Sequence, residues 1–103
     1  MAEKTKIIRW NDRPQRQLKA ILAYLVDNYS LTTAEKFLSK VESKLEQIQR
    51  YPESGQPTKY KSVRRLRFDK HHSIFYRMHG RKIFVVFIWD SRQHPNKNPY
   101  RKK

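Results

Sequence analysis

The run Val63–Asp90, V-R-R-L-R-F-D-K-H-H-S-I-F-Y-R-M-H-G-R-K-I-F-V-V-F-I-W-D, leaves a chain few ways to fold. It is dominated by β-branched and aromatic residues, with a single glycine in its second half, and it reads as three consecutive antiparallel strands. These are Val63–Phe68, about His72–Met78 and Lys82–Trp89, the last two joined across His79-Gly80-Arg81, where glycine suits a hairpin turn. Side chains alternate faces along a strand. Leu66 and Phe68 therefore share a face with Arg64, while Arg65 and Arg67 share the other with Val63. Ile74, Tyr76 and Met78 face one way, Phe75 and Arg77 the other. The third strand is apolar on both faces, as expected of a strand inside the sheet. The expectation is a sheet with a greasy face and an arginine-bearing face, and function is sought on the latter.

What precedes this run supplies the cover. Lys6–Trp10 is a short apolar stretch that reads as a first strand, with an edge position open to it. Asn11 and Asp12 are good helix caps and Pro14 suits a first helical turn. Leu18, Ile21, Leu22, Leu25, Val26 and Tyr29 then recur at helical spacing as one apolar stripe, ending near Asn28–Ser30. Thr32-Thr33-Ala34-Glu35 reads as a capping box with Thr32 as cap. It opens a second helix whose stripe is Ala34, Phe37, Leu38, Val41, Leu45 and Ile48, and whose polar face carries Glu35, Lys36, Glu42, Lys44 and Glu46. Two amphipathic helices on so short a link form an antiparallel hairpin whose stripes cover one sheet face. Tyr51–Pro57 reads as a loop and Ser91–Tyr100 as an extended tail, since each holds two prolines. The order is strand, helix, helix and three strands: an α+β fold, β-α-α-β-β-β, with a helical hairpin on one face of a small, mainly antiparallel sheet. A single domain over residues 1–103 is expected, with about 96–103 a flexible basic tail.

Composition narrows the chemistry. The net charge is +15, and residues 51–103 hold 14 basic against 3 acidic residues, compared with 10 against 6 in residues 1–50. Such a field attracts polyanions: RNA, DNA, a ribosome or an acidic protein. There is no cysteine, which excludes disulfides and thiolate metal sites. No apolar run is long enough to span a membrane, and the first residues lack the apolar core of a signal peptide, so a cytoplasmic location and no membrane partner are expected. The carboxylates have no ligand-like spacing and the two glycines make no phosphate loop, so no metal and no cofactor is expected.

What remains is a metal-free set of arginines, histidines and tyrosines. Arg65, Arg67, Arg92, His71, His72 and Tyr100 are the candidates for RNA cleavage. In that reaction a base takes the proton of the 2′-hydroxyl, an acid protonates the leaving oxygen and arginines stabilise the phosphorane. Adjacent His71 and His72 point to opposite faces if both lie in a strand. Lys59, Lys61, Arg64, Arg77, His94 and Lys97 are candidates for nucleic-acid binding. The same residue types hold a nucleic acid without cutting it, and composition does not separate the two. Asp90, two residues from Arg92, is placed to orient that arginine, and Tyr76 reads as a core tyrosine.

Y-P-E-S-G at 51–55, R-R-L-R at 64–67, I-F-Y-R at 74–77 and F-I-W-D-S-R-Q-H-P at 87–95, in that order and spacing, are similar to the RelE/ParE superfamily of toxins from bacterial type II toxin–antitoxin operons. The resemblance runs from Ile7 to about Tyr100 and implies the β-α-α-β-β-β fold, a cognate antitoxin that wraps the basic groove, and one of two activities. RelE-like members cut mRNA on the ribosome without metal; ParE-like members poison DNA gyrase and are not nucleases. On the first pattern Arg92 matches the arginine used against the phosphate, and Arg65 and Arg67 match the basic residues of the second strand. Ser73 stands where that pattern has a further catalytic arginine, and Tyr100 lies in a proline-rich tail where the pattern has a helix. The primary expectation is a ribosome-associated mRNA endonuclease, the alternative a gyrase inhibitor, and a third reading a non-toxic nucleic-acid-binding module.

Overall fold

The computed structural model describes residues 6–60 and 62–100. Strand β1 (Ile7–Trp10) leads into helices α1 (Asp12–Asn28) and α2 (Leu31–Arg50). A two-residue strand β2 (Gln56–Pro57) precedes β3 (Val63–Arg67), β4 (His72–His79) and β5 (Lys82–Asp90), and a 3-10 turn, Pro95–Lys97, follows. The strands form one sheet in the order β1-β5-β4-β3-β2. β1 takes an edge and runs parallel to β5, which places β5 inside the sheet; every other pairing is antiparallel. The hairpin at Gly80 turns with φ +61°, a left-handed backbone that glycine adopts without strain.

The helical hairpin lies on one sheet face. Phe37, Val41 and Ile48 of α2 pack on Ile74, Tyr76, Ile83, Val85 and Ile88, with Leu66 and the α1 residues Leu18, Ile21, Leu22 and Leu25 at the margin. β5 is apolar on both faces, and a bulge decides which of its residues each face receives. Phe75 pairs with Phe87 while Tyr76 pairs with Val85, so Val86 is an extra residue and the alternation restarts beyond it. Phe87 and Trp89 thereby join Val63, Phe75 and Val86 in a second cluster on the face away from the helices.

Four expectations are corrected. The opposite face is not simply an arginine surface, because the bulge turns aromatic rings onto it. The chain after β5 is not extended: it turns through Pro95–Lys97, buries Asn98, and lays Tyr100 on Phe75 at 5.1 Å between ring centroids. Those rings need cover from water, and the tail supplies it. The cap of α2 is Ser30, not Thr32: Ser30 has an extended backbone and its hydroxyl accepts from the Thr33 amide at 3.1 Å, leaving Thr32 inside the first turn. Val26 and Tyr29 are exposed rather than core, because the end of α1 and its cap run past the sheet.

A close contact fixes the approach to the sheet. Tyr76 is fully buried; its hydroxyl donates to the Pro52 carbonyl at 2.7 Å and accepts from the Gly55 amide at 2.9 Å. A Cβ on Gly55 would stand 2.7 Å from that hydroxyl and 2.9 Å from the Arg65 carbonyl oxygen, so only glycine fits. Arg64 closes the same loop, donating to the Gly55 carbonyl at 2.7 Å. Y-P-E-S-G at 51–55 is thus the outer half of a lock whose inner half is Tyr76.

Candidate functional site

The hairpin does not close fully on the sheet. A groove of about 700 Å³ opens between Ile21, Tyr24 and Leu25 of α1, Lys36, Phe37 and Lys40 of α2, and the end of the sheet at Asp69, His71, His72, Asp90 and Arg92. The helix stripe makes its walls. Tyr24 and Tyr29 stand at its mouth, 56% and 66% exposed, edge to face at 6.2 Å.

Its floor is a linked chain of four residues, Asp69, His72, Asp90 and Arg92. Asp69 Oδ1 accepts from the amides of His71 and His72, each at 2.9 Å, which curls the β3–β4 turn. It also lies 2.9 Å from His72 Nδ1, and because an ionised carboxylate only accepts, that ring nitrogen is the donor. Burial pushes the Asp69 carboxyl up, but the His72 ring and the two amides outweigh it and hold it below its ordinary value. The His72 ring is stacked on Phe68 and edge-on to Phe37, with Nε2 3.6 Å from Asp90 Oδ2. Asp90 is gripped by Arg92 through Nε at 2.9 Å and Nη2 at 2.7 Å, which holds the carboxyl at about 2 and pushes the guanidinium up. Both carboxylates are therefore committed, and the cations facing the groove are Lys36, Lys40, Arg92 and, when protonated, His71.

The candidate residues from the sequence separate into distinct places. Arg92, His71 and His72 meet at the groove, on the helix-covered side. His71 does not point away from His72, because it sits in the Asp69 turn rather than in β4. Arg65 and Arg67 face the other side; Arg65 Nε donates to Ser73 Oγ at 3.1 Å. Tyr100 is also on that side, its ring between Phe75 and Tyr60. Arg77 is exposed on the same face, opposite Val63. Arg64 is turned to the loop carbonyls, His94 Nδ1 accepts from the Asn96 amide, Lys97 is exposed in the 3-10 turn, and Lys59 lies over the Tyr60 ring at 5.4 Å. Lys61 lies outside the described residues. Sequence reasoning missed the groove: Tyr29 reads as stripe and Lys36 as polar face, and nothing in the spacing singles out Tyr24 or Lys40. The available signal was Tyr29, an aromatic residue at the end of an otherwise aliphatic stripe, with Tyr24 five residues before it.

Among the described residues no helix is long and apolar enough to cross a membrane. Comparison with known proteins gives a consistent picture. The profile of the family described as the ParE toxin of the type II toxin–antitoxin system parDE matches residues 8–95. A structure of the chromosomal ParDE toxin–antitoxin system from P. aeruginosa superposes with a TM-score of 0.72 at 20% identity, covering 84% of this chain and 96% of that one. The solution structure of a conserved hypothetical protein from Helicobacter pylori gives 0.55 at 8% identity, covering 85% and 97%. No curated protein matches. With its sheet order, its hairpin and a family match over most of its length, this chain belongs to the ParE toxin family and has the role of a toxin in a type II toxin–antitoxin system.

Proposed function

We propose that this toxin stops growth by binding and inhibiting DNA gyrase, and that it cuts no nucleic acid. The observation that carries this reading is the scatter of the residues cleavage would need. General acid–base catalysis requires base, acid and phosphate-stabilising groups converging within hydrogen-bond reach of one reacting centre. Here Arg92 is clasped by Asp90 on the helix side, His72 is enclosed by two rings, and Arg65, Arg67 and Tyr100 lie across the sheet from both. Membership of the ParE family supports the same reading.

The cognate antitoxin is the second partner in this reading. The groove's aliphatic walls, its exposed tyrosines and its cations fit an acidic, amphipathic segment, which would bury the one and neutralise the other.

The test is a supercoiling assay with purified toxin, gyrase and relaxed plasmid. Expected is loss of supercoiling as toxin approaches the gyrase concentration, restored by the antitoxin, with translation in a cell-free system unaffected. Supercoiling untouched by excess folded toxin, together with cleavage of ribosome-bound mRNA, overturns the reading in favour of the endonuclease.

A further inference from the structure

We infer that the sheet face away from the helices is a docking surface for the phosphate backbone of duplex DNA. The register places Arg9, Arg65, Arg67, Arg77 and Lys82 on that face, across four neighbouring strands. Asp90 is the one carboxylate in any strand, and its pairing with His72 puts it on the helix side, so the strands present no acid to this face. None of the five is paired with a carboxylate of the described residues, and Arg65 gives only its Nε to Ser73 Oγ. Among the described residues, Arg92 is the one lysine or arginine within 4.0 Å of a carboxylate, and it belongs to the groove. A surface that collects five cations and neutralises none internally is complementary to a polyanion.

The aromatic residues decide which polyanion. Single-stranded binding needs open rings on which bases stack. Phe75, Phe87 and Trp89 are only 2, 3 and 8% exposed, because Tyr100 lies on Phe75 and the Arg13 guanidinium sits 4.6 Å over Phe87. The face's open rings are few, Tyr60 at 38% and the half-buried Tyr100, and its five cations outnumber them, which suits a stacked duplex read through its backbone. Arg65 and Arg67 stand two residues apart on one strand, about 7 Å, so their guanidinium groups can reach separate phosphates of one DNA strand.

The inference goes beyond the gyrase reading, and its test contains no gyrase, so either can fail alone. Binding of the full chain to a short labelled duplex is followed by fluorescence anisotropy from about 50 to about 200 mM salt. Five phosphate contacts give a log–log slope of about −4.5, so affinity falls about 500-fold over that range. The triple variant Arg65→Gln, Arg67→Gln, Arg77→Gln keeps two contacts and falls about 12-fold. A control that removes equal charge from the helices, Arg16→Gln, Lys19→Gln, Arg50→Gln, keeps the wild-type slope. Equal loss of slope in both variants overturns the inference, since net charge alone would then be acting. So does tighter binding of a single strand than of the duplex, or competition by polyglutamate as effective as that by DNA.

Discussion

Replacing Tyr76 by phenylalanine removes one oxygen and takes the partner from one buried group and one half-buried group. The ring keeps its place in the core, so the apolar contribution is unchanged. The Gly55 amide, 2.9 Å away, and the Pro52 carbonyl, 2.7 Å away, lose the hydroxyl that satisfies both. Water cannot readily replace it, since Gly55 is buried and Tyr76 is 0% exposed. An unsatisfied buried donor or acceptor costs about 1–3 kcal/mol. With two affected and the loop still held by Arg64, the expected loss is about 2–3 kcal/mol. Burial raises the Tyr76 phenol above its ordinary value, so it stays a donor at any working pH and the loss is independent of pH near neutrality. Urea unfolding should show the midpoint falling by about 1.5–2 M at unchanged slope. Hydrogen exchange should show the Gly55 amide losing protection, with the β5 amides, which open only with the whole chain, losing no more than the global change measured in urea. A loss below about 0.5 kcal/mol with Gly55 still protected refutes the lock, because it shows that the hydroxyl was satisfying nothing water could not. A second arm sharpens the test. Gly55→Ala destabilises the wild type, and Tyr76→Phe does not rescue it, because the Arg65 carbonyl oxygen at 2.9 Å is backbone and remains.

Arg92→Ala tests the charged floor. Asp90 is held at about 2 against an ordinary 3.8, a depressed carboxylate, so its contribution is complete above 3.8 and is lost as pH falls towards 2. Wild type should exceed the variant by about 1 kcal/mol at neutral pH, allowing for solvent screening at the exposed arginine, and denaturant curves should show the gap closing in that acid window. Gln17→Ala should cost about 1–2 kcal/mol by thermal unfolding, since the Gln17 side chain accepts from the Ile88 amide at 2.8 Å, beyond the reach of the short β1. Gly80→Ala should cost about 1 kcal/mol in the same assay, by backbone strain alone, since no atom lies within 4 Å of the added methyl.

The sequence by itself determined the order of elements, the two helices and the three long strands, because hydrophobic period and turn chemistry are local properties. It also determined the excess of positive charge, the pairing of Asp90 with Arg92 and the core role of Tyr76. Tertiary structure decided the rest. Whether β1 ran parallel at an edge depended on which neighbour had free backbone groups, and β5 offered them. The bulge at Val86 reversed the alternation of β5, because a two-residue period holds only while each residue has one partner. The tail folded because Phe75 and, through the bulge, Phe87 gave Tyr100 rings to cover, a reason invisible in a stretch with two prolines. Arg65, Arg67 and Arg92 share a residue type, but the sheet put its full thickness between the first two and the third. Local sequence sets which groups a chain carries; which of them converge is decided by the packing that divides one face from the other.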